Sequence, residues 1–335
     1  MTAFAFAENL CRAYRADGYN TVVINDIVGN DGGVWTRRTE ASIIAALELY
    51  RRLNMNVVVA ATFAGFPGEG IASATDEVIT ERIGLYSAHD RGEILGFYCG
   101  LDDEFLSQNT VSEQKRWYDG IKAVNASFSV FGIFGLEFST FQTEQNFTDY
   151  FSPATFDHLI MLTYPYNLTN NPTYGPQITA AVNAFDSTFV DAPLDATSTT
   201  AATRVTQFLL NAWEMAENDN FLNRLYADQL ILPLIETFEY IGAPASQVPT
   251  GEDVATMASV HMSEIQRIKD DTSLASILYF HWGVEADNPS GMGSVNGRKW
   301  WVGARESNKA AKTITQNTLD KLSSCRMAQI TLNIR

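Results

Sequence analysis

Histidine and cysteine are scarce, with four and three residues among 335. A metal-dependent hydrolase built on strands wants several histidines gathered at strand ends. Here only His281 stands at such an end; His89 and His261 fall in helical segments, and His158 begins a strand segment. Cys11, Cys99 and Cys325 have neither metal-ligand spacing nor an even count, and Cys99 sits in an apolar run as a small hydrophobe would. No metal or organic cofactor is expected. Basic charge is short as well: 23 Lys and Arg stand against 39 Asp and Glu, a net charge of −16. Bulk electrostatics therefore oppose binding to nucleic acid or an anionic membrane and favour a neutral or cationic ligand or simply a soluble surface. Long hydrophobic runs are missing, so no membrane insertion is expected. Residues 1–7 lack the basic start and extended apolar core of a secretory signal.

What is present is a globular composition, 46% hydrophobic and 19% charged, arranged as helix and strand in alternation. Apolar spacing predicts helices over 4–17, 39–53, 75–90, 112–125, 200–217, 252–269 and near 306–322. Between them lie short apolar strand segments at 20–25, 57–63, 93–100, 128–134, 156–166, 229–236 and 276–282. Gly29 to Gly33 and the stretch 288–299 read as open, glycine-rich loops. The excursion 167–199 is too long for an ordinary connection and is either a lid or a loosely ordered insertion. The alternation predicts an α/β fold, a (β/α)8 TIM barrel formed as a single domain over 1–335. The eighth strand is either the short segment 3–7 or the alternating segment 328–334, within 326–335, the latter being the better closing strand.

In such a barrel the chemistry sits where strands end. The strand at 93–100 runs into Asp102, Asp103 and Glu104, three acids in succession that cannot lie in a dry interior. The strand at 229–236 ends in Glu236, on the same parity as Leu230, Leu232 and Leu234, so that if those leucines fill the barrel the carboxylate points into its mouth. Asp26, Glu137, Tyr164, His281 and Trp282 occupy other strand ends and are, with Asp103 and Trp35, the expected contacts with substrate, while Glu239 and Glu285 read as rim residues. Asp102 serves equally well as a turn cap. This list is rich in carboxylates and aromatics, and that is what hydrolysis of a glycosidic bond requires. One acid protonates the leaving oxygen, the other attacks the anomeric carbon or activates water, and rings such as Trp35, Tyr164, Trp282 and Trp300 stack on apolar sugar faces.

Counting an N-terminal strand as the first, the Asp-Asp-Glu strand is the fourth, the Pro-Leu-Ile-Glu strand the seventh and the Phe-His-Trp strand the eighth. In this the chain resembles the clan of (β/α)8 retaining glycoside hydrolases, over most of its length and through short motifs. The resemblance implies Glu104 as acid/base, Glu236 as nucleophile and Trp282 as a sugar platform, with Tyr164 placed where the clan often has a tyrosine touching the nucleophile. The residue before the acid/base is usually Asn in the clan, contacting the sugar 2-hydroxyl, and is Asp103 here. An acid beside an acid raises the proton affinity of one of them, which suits a general acid. The implied partner is a poly- or oligosaccharide, which points to the cell exterior. Two other functions compete: a barrel that binds glycan without cleaving it, and a small-molecule enzyme using the loop 288–299 for phosphate.

Overall fold

The computed structural model describes residues 8–9, 11–12, 15–16, 20–31, 34–61, 76–98, 111–135, 155–162, 230–235, 238–240, 278–279, 294–295, 298–299 and 301–303. The predicted segments 3–7, 200–217, 252–269, 306–322 and 328–334, and the excursion 167–199, lie outside them.

The main sheet has seven strands: β1 (Thr21–Asn25), β4 (Asn56–Ala60), β5 (Ile94–Tyr98), β6 (Ser129–Gly135), β7 (His158–Leu162), β8 (Leu230–Ile235) and β10 (Leu278–Tyr279). They lie side by side in the order in which the chain makes them. The pairs β1/β4, β4/β5, β5/β6 and β8/β10 run parallel. An order that never reverses has no switch point, unlike an open doubly wound sheet, and it is the connectivity of a (β/α)8 barrel. Helices α1 (Glu40–Arg52), α2 (Asp76–His89) and α3 (Val111–Val124) fill the first three crossovers.

By contacts the chain divides into two compact units: Met1–Phe134 with Phe147–Leu159 and Leu332–Arg335, and Gly135–Asn146 with Ile160–Thr331. In the first, α1 starts where the Thr39 hydroxyl accepts from the Ser42 N–H at 3.2 Å, with Glu40 in the first turn and Arg51 and Arg52 in the last to complement the helix dipole. It stops at Leu53, where Asn54 takes a left-handed φ of 52° that Asn tolerates better than most residues. Strand β4 then buries Val57, Val58, Val59 and Ala60 in succession, the pattern of a parallel strand covered on both faces.

Helix α2 buries Ile79, Arg82, Ile83 and Tyr86 along one stripe, and α3 buries Gln114, Trp117 and Ile121. The two helices approach closely at Gly120, where a methyl group would stand 2.8 Å from Ile79 Cγ2. Phe97 of β5 meets Tyr86 of α2 and Phe128, just before β6, edge-on at 5.8 and 5.2 Å. Gly96 is required by the neighbouring strand, since a Cβ there would lie 1.9 Å from the Ser129 carbonyl oxygen. The start of β7 is pinned by Asp157, whose carboxylate accepts from Val130 N–H at 2.8 Å and Tyr118 hydroxyl at 3.1 Å and pairs with Lys122 at 2.6 Å.

Two expected loops contain strands. Residues 27–37 form an antiparallel hairpin of β2 (Ile27–Asp31) and β3 (Val34–Arg37), with an irregular register between Ile27 and Gly29. The β-branched residues flanking Asp31-Gly-Gly were the signal, hidden by the glycine count. In the second unit, β11 (Ser294–Val295) pairs with β12 (Arg298–Lys299), and the Asn-Gly sequence between them is a hairpin signature. Next, β13 (Trp301–Gly303) pairs antiparallel with β9 (Phe238–Tyr240). The glycine-rich stretch therefore leads into a strand at Trp301, which removes the helix start that a phosphate loop needs.

Candidate active site at the strand ends

The observed strands stop close to the residues that the sequence singles out. Strand β5 ends at Tyr98, upstream of Asp103 and Glu104; β6 ends at Gly135, upstream of Glu137; β7 ends at Leu162, upstream of Tyr164. Strand β8 ends at Ile235, so Glu236 is the next residue, and β10 ends at Tyr279, shortly before His281 and Trp282. Glu104, Glu236, Asp103, Glu137, Tyr164, His281 and Trp282 themselves lie outside the described residues. Trp35 lies in β3, in register with Asn30 across the hairpin.

Asp26, which follows β1, is fully described, and its setting differs from the expected contact with substrate. Its carboxylate is 0% exposed. Oδ2 accepts from Arg37 Nη1 at 2.8 Å and Arg82 Nε at 3.2 Å. Oδ1 accepts from the Tyr86 hydroxyl at 2.9 Å and from Arg82 Nη2. The same Arg82 nitrogen donates to the Arg38 carbonyl at 2.9 Å. The backbone joins in: Asp26 N–H donates to the Ala60 carbonyl at 2.9 Å, and Arg38 N–H donates to the Asp26 carbonyl at 2.7 Å. A lone carboxylate after a strand cannot be buried without such partners. Asp26 thus faces into the protein and ties β1, β4, α2 and both ends of the β2/β3 hairpin together at the C-terminal end of the sheet.

Burial, and then the charge of Asp26, push the Tyr86 phenol well above its ordinary range, so it stays a neutral donor. Arg37, Arg82 and Tyr86 were not anticipated from sequence. Arg82 did carry a signal: a charged residue within the apolar stripe of Ile79, Ile83 and Tyr86 must bury a counter-charge.

In the second unit, the ribbon of β9 and β13 begins two residues after Glu236. Its register sets Tyr240 opposite Trp301 and Phe238 opposite Gly303, so Phe238, Tyr240 and Trp301 share one side of the ribbon by backbone register. Among the described residues no group of three or more His, Cys, Asp or Glu is placed to hold a metal ion, and no helix is long and apolar enough to cross a membrane.

No family model and no curated protein matches the chain. Solved structures do. A family 5 glycoside hydrolase of subfamily 18 from Streptomyces cattleya, in complex with GlcNAc, is similar with a TM-score of 0.55 and 12% identity, over 96% of this chain and 76% of that one. A family 5 glycoside hydrolase from Prevotella bryantii, bound to a xyloglucan tetradecasaccharide, gives 0.51 and 12% over 93% and 86%. The catalytic domain of a hyperthermophilic chitinase from Pyrococcus furiosus gives 0.50 and 10% over 93% and 90%. At these identities the likeness is one of fold, and the chain has the α/β fold of the (β/α)8 barrel glycoside hydrolases.

Proposed function

We propose that the protein is a glycoside hydrolase that cleaves a poly- or oligosaccharide by a retaining double displacement, its residues 1–335 working as one barrel domain. Glu236 attacks the anomeric carbon, forming the glycosyl-enzyme as the C–O bond to the leaving sugar breaks, and Glu104 gives its proton to the departing oxygen. Glu104 then takes a proton from water, which releases the sugar with Glu236 as leaving group. Asp103, Glu137, Tyr164, His281, Trp282 and Trp35 contact the sugar, and the substrate is a glycan outside the cell or on its surface. The observation that carries the reading is the way β8 delivers Glu236 as the first residue beyond its C-terminal end, in a barrel fold shared with glycoside hydrolases.

The test is reducing-end release from chito-oligosaccharides and xyloglucan, the glycan types of the neighbours above, and from β-1,4-mannan, after a β-1,4-mannanase of similar fold. Turnover of one of them should fall by about 10²–10⁴-fold in both Glu104→Gln and Glu236→Gln. Binding without turnover in the unaltered chain would put the non-catalytic glycan-binding barrel in its place.

A further inference from the structure

The Asp26 cluster is a costly way to close a sheet end. Taking a carboxylate and a guanidinium out of water costs several kcal/mol per ion, and well-packed apolar residues often stabilise as well or better. What an ion network fixes is geometry, through bidentate and directional bonds. Here the geometry fixed is that of the β2/β3 hairpin. Arg82 spans both Asp26 oxygens and also holds the Arg38 carbonyl, where the hairpin returns to the sheet. Arg37, the last residue of β3, closes on Asp26 at 2.8 Å, and the Asp26 carbonyl accepts from Arg38 N–H. Both feet of the hairpin are thereby clamped to α2 and to the end of β4. The hairpin is the connection from β1 to α1, so it rises from the end of the sheet where barrels place their binding loops.

We propose that the β2/β3 hairpin is a glycan-binding wall of the active site and that Asp26, with Arg37 and Arg82, is its positioning group rather than a ligand of the sugar. The proposal rests on the glycosidase reading. Binding by a preset wall lowers KM without entering the chemical step, because ground state and transition state gain alike.

The experiment uses the full chain and whichever of chito-oligosaccharide, β-1,4-mannan and xyloglucan it turns over. Arg37→Met loosens the hairpin foot, which keeps its bonds through the Arg38 backbone, while Arg82 and Tyr86 still satisfy Asp26, and Trp35→Ala removes the aromatic residue of β3. Each should raise KM by about tenfold with kcat within about twofold. The double variant should lose less than the product of the two single effects, since a loosened wall gains less from its ring. Hydrogen exchange of residues 27–37 should speed up in Arg37→Met and be restored by Arg37→Lys. An unchanged KM in both single variants, or effects that multiply in the double variant, overturns the proposal while leaving the glycosidase reading standing. A chain that turns over none of the three glycans overturns both, and unchanged exchange in Arg37→Met overturns the seating by itself.

Discussion

Two buried carboxylates in the first unit use the same chemistry at opposite ends of the sheet. Glu93 stands just before β5, at its N-terminal end; Oε2 accepts from Arg51 Nε at 3.2 Å and from Arg91 N–H at 3.0 Å, and Oε1 pairs with Arg51 Nη2. Arg51 also donates to the His89 carbonyl at 3.1 Å, so the group closes the turn from α2 into β5 against the end of α1. Its hydrogen bond to Glu93, more than any other interaction, raises the Arg51 pKa. Asp26 does similar work at the C-terminal end, but it holds a hairpin rather than a tight turn. Exposure separates them further: the Arg51 side chain is 40% exposed, Arg37 23% and Arg82 11%. In a barrel the N-terminal end serves stability and the C-terminal end serves function. On the proposal above, the pair is one motif applied to two purposes, told apart by which end of the sheet it occupies and by what it holds.

Asp26→Asn should break this comparison hardest. It leaves Arg82 buried without its counter-charge, and we expect a loss of about 3–5 kcal/mol in urea unfolding, together with a raised KM. Glu93→Gln should cost less, about 1 kcal/mol, because its partner Arg51 is more exposed than Arg37 and Arg82, and it should leave KM unchanged. If Glu93→Gln raised KM as Asp26→Asn does, the two ends would not differ in purpose.

A pH scan sharpens the contrast. Tyr86 is held above its ordinary pKa by burial and by Asp26, and burial lifts the Cys11 thiol from 9.0 to about 11. Raised pKa values mean that the folded state keeps protons that the unfolded chain gives up. Their stabilisation is complete below pH 9 and is lost as pH rises from 9 towards 11 for Cys11, and from above pH 10 for Tyr86. The melting temperature should fall over that range, and Tyr86→Phe and Cys11→Ala should each flatten the slope. Glu93→Gln should keep it, since Arg51, whose pKa Glu93 raises, stays protonated throughout that range. The smallest effect expected is that of Lys115→Ala, which removes an exposed i,i+4 pair with Asp119 and should change stability by no more than about 0.5 kcal/mol.

The main-sheet strands and the helices of the first unit were legible because their signal, apolar spacing, is local; Thr39, read as the first residue of the helix 39–53, is its cap. The barrel order followed from the alternation of elements, and the acids beyond β5 and β8 were visible as the ends of apolar runs. The Asp26 network was not legible. Its partners come from 11, 56 and 60 residues away, and no local pattern says that Arg37, Arg82 and Tyr86 converge on one carboxylate. An acid after a strand looks the same in sequence whether it faces a cleft or the interior. The two hairpins were missed for a different reason, since glycine marks a tight turn and an open loop alike. For the second, the Asn-Gly pair was the stronger signal.

The most direct test of the central claim is the configuration of the first sugar released, followed by proton NMR during turnover of the glycan that the chain cleaves. The account predicts that the new reducing end appears first with the anomeric configuration of the bond that was cut, as a glycosyl-enzyme on Glu236 requires. The opposite anomer appearing first would mean direct attack by water, and Glu236 would then be a base rather than a nucleophile.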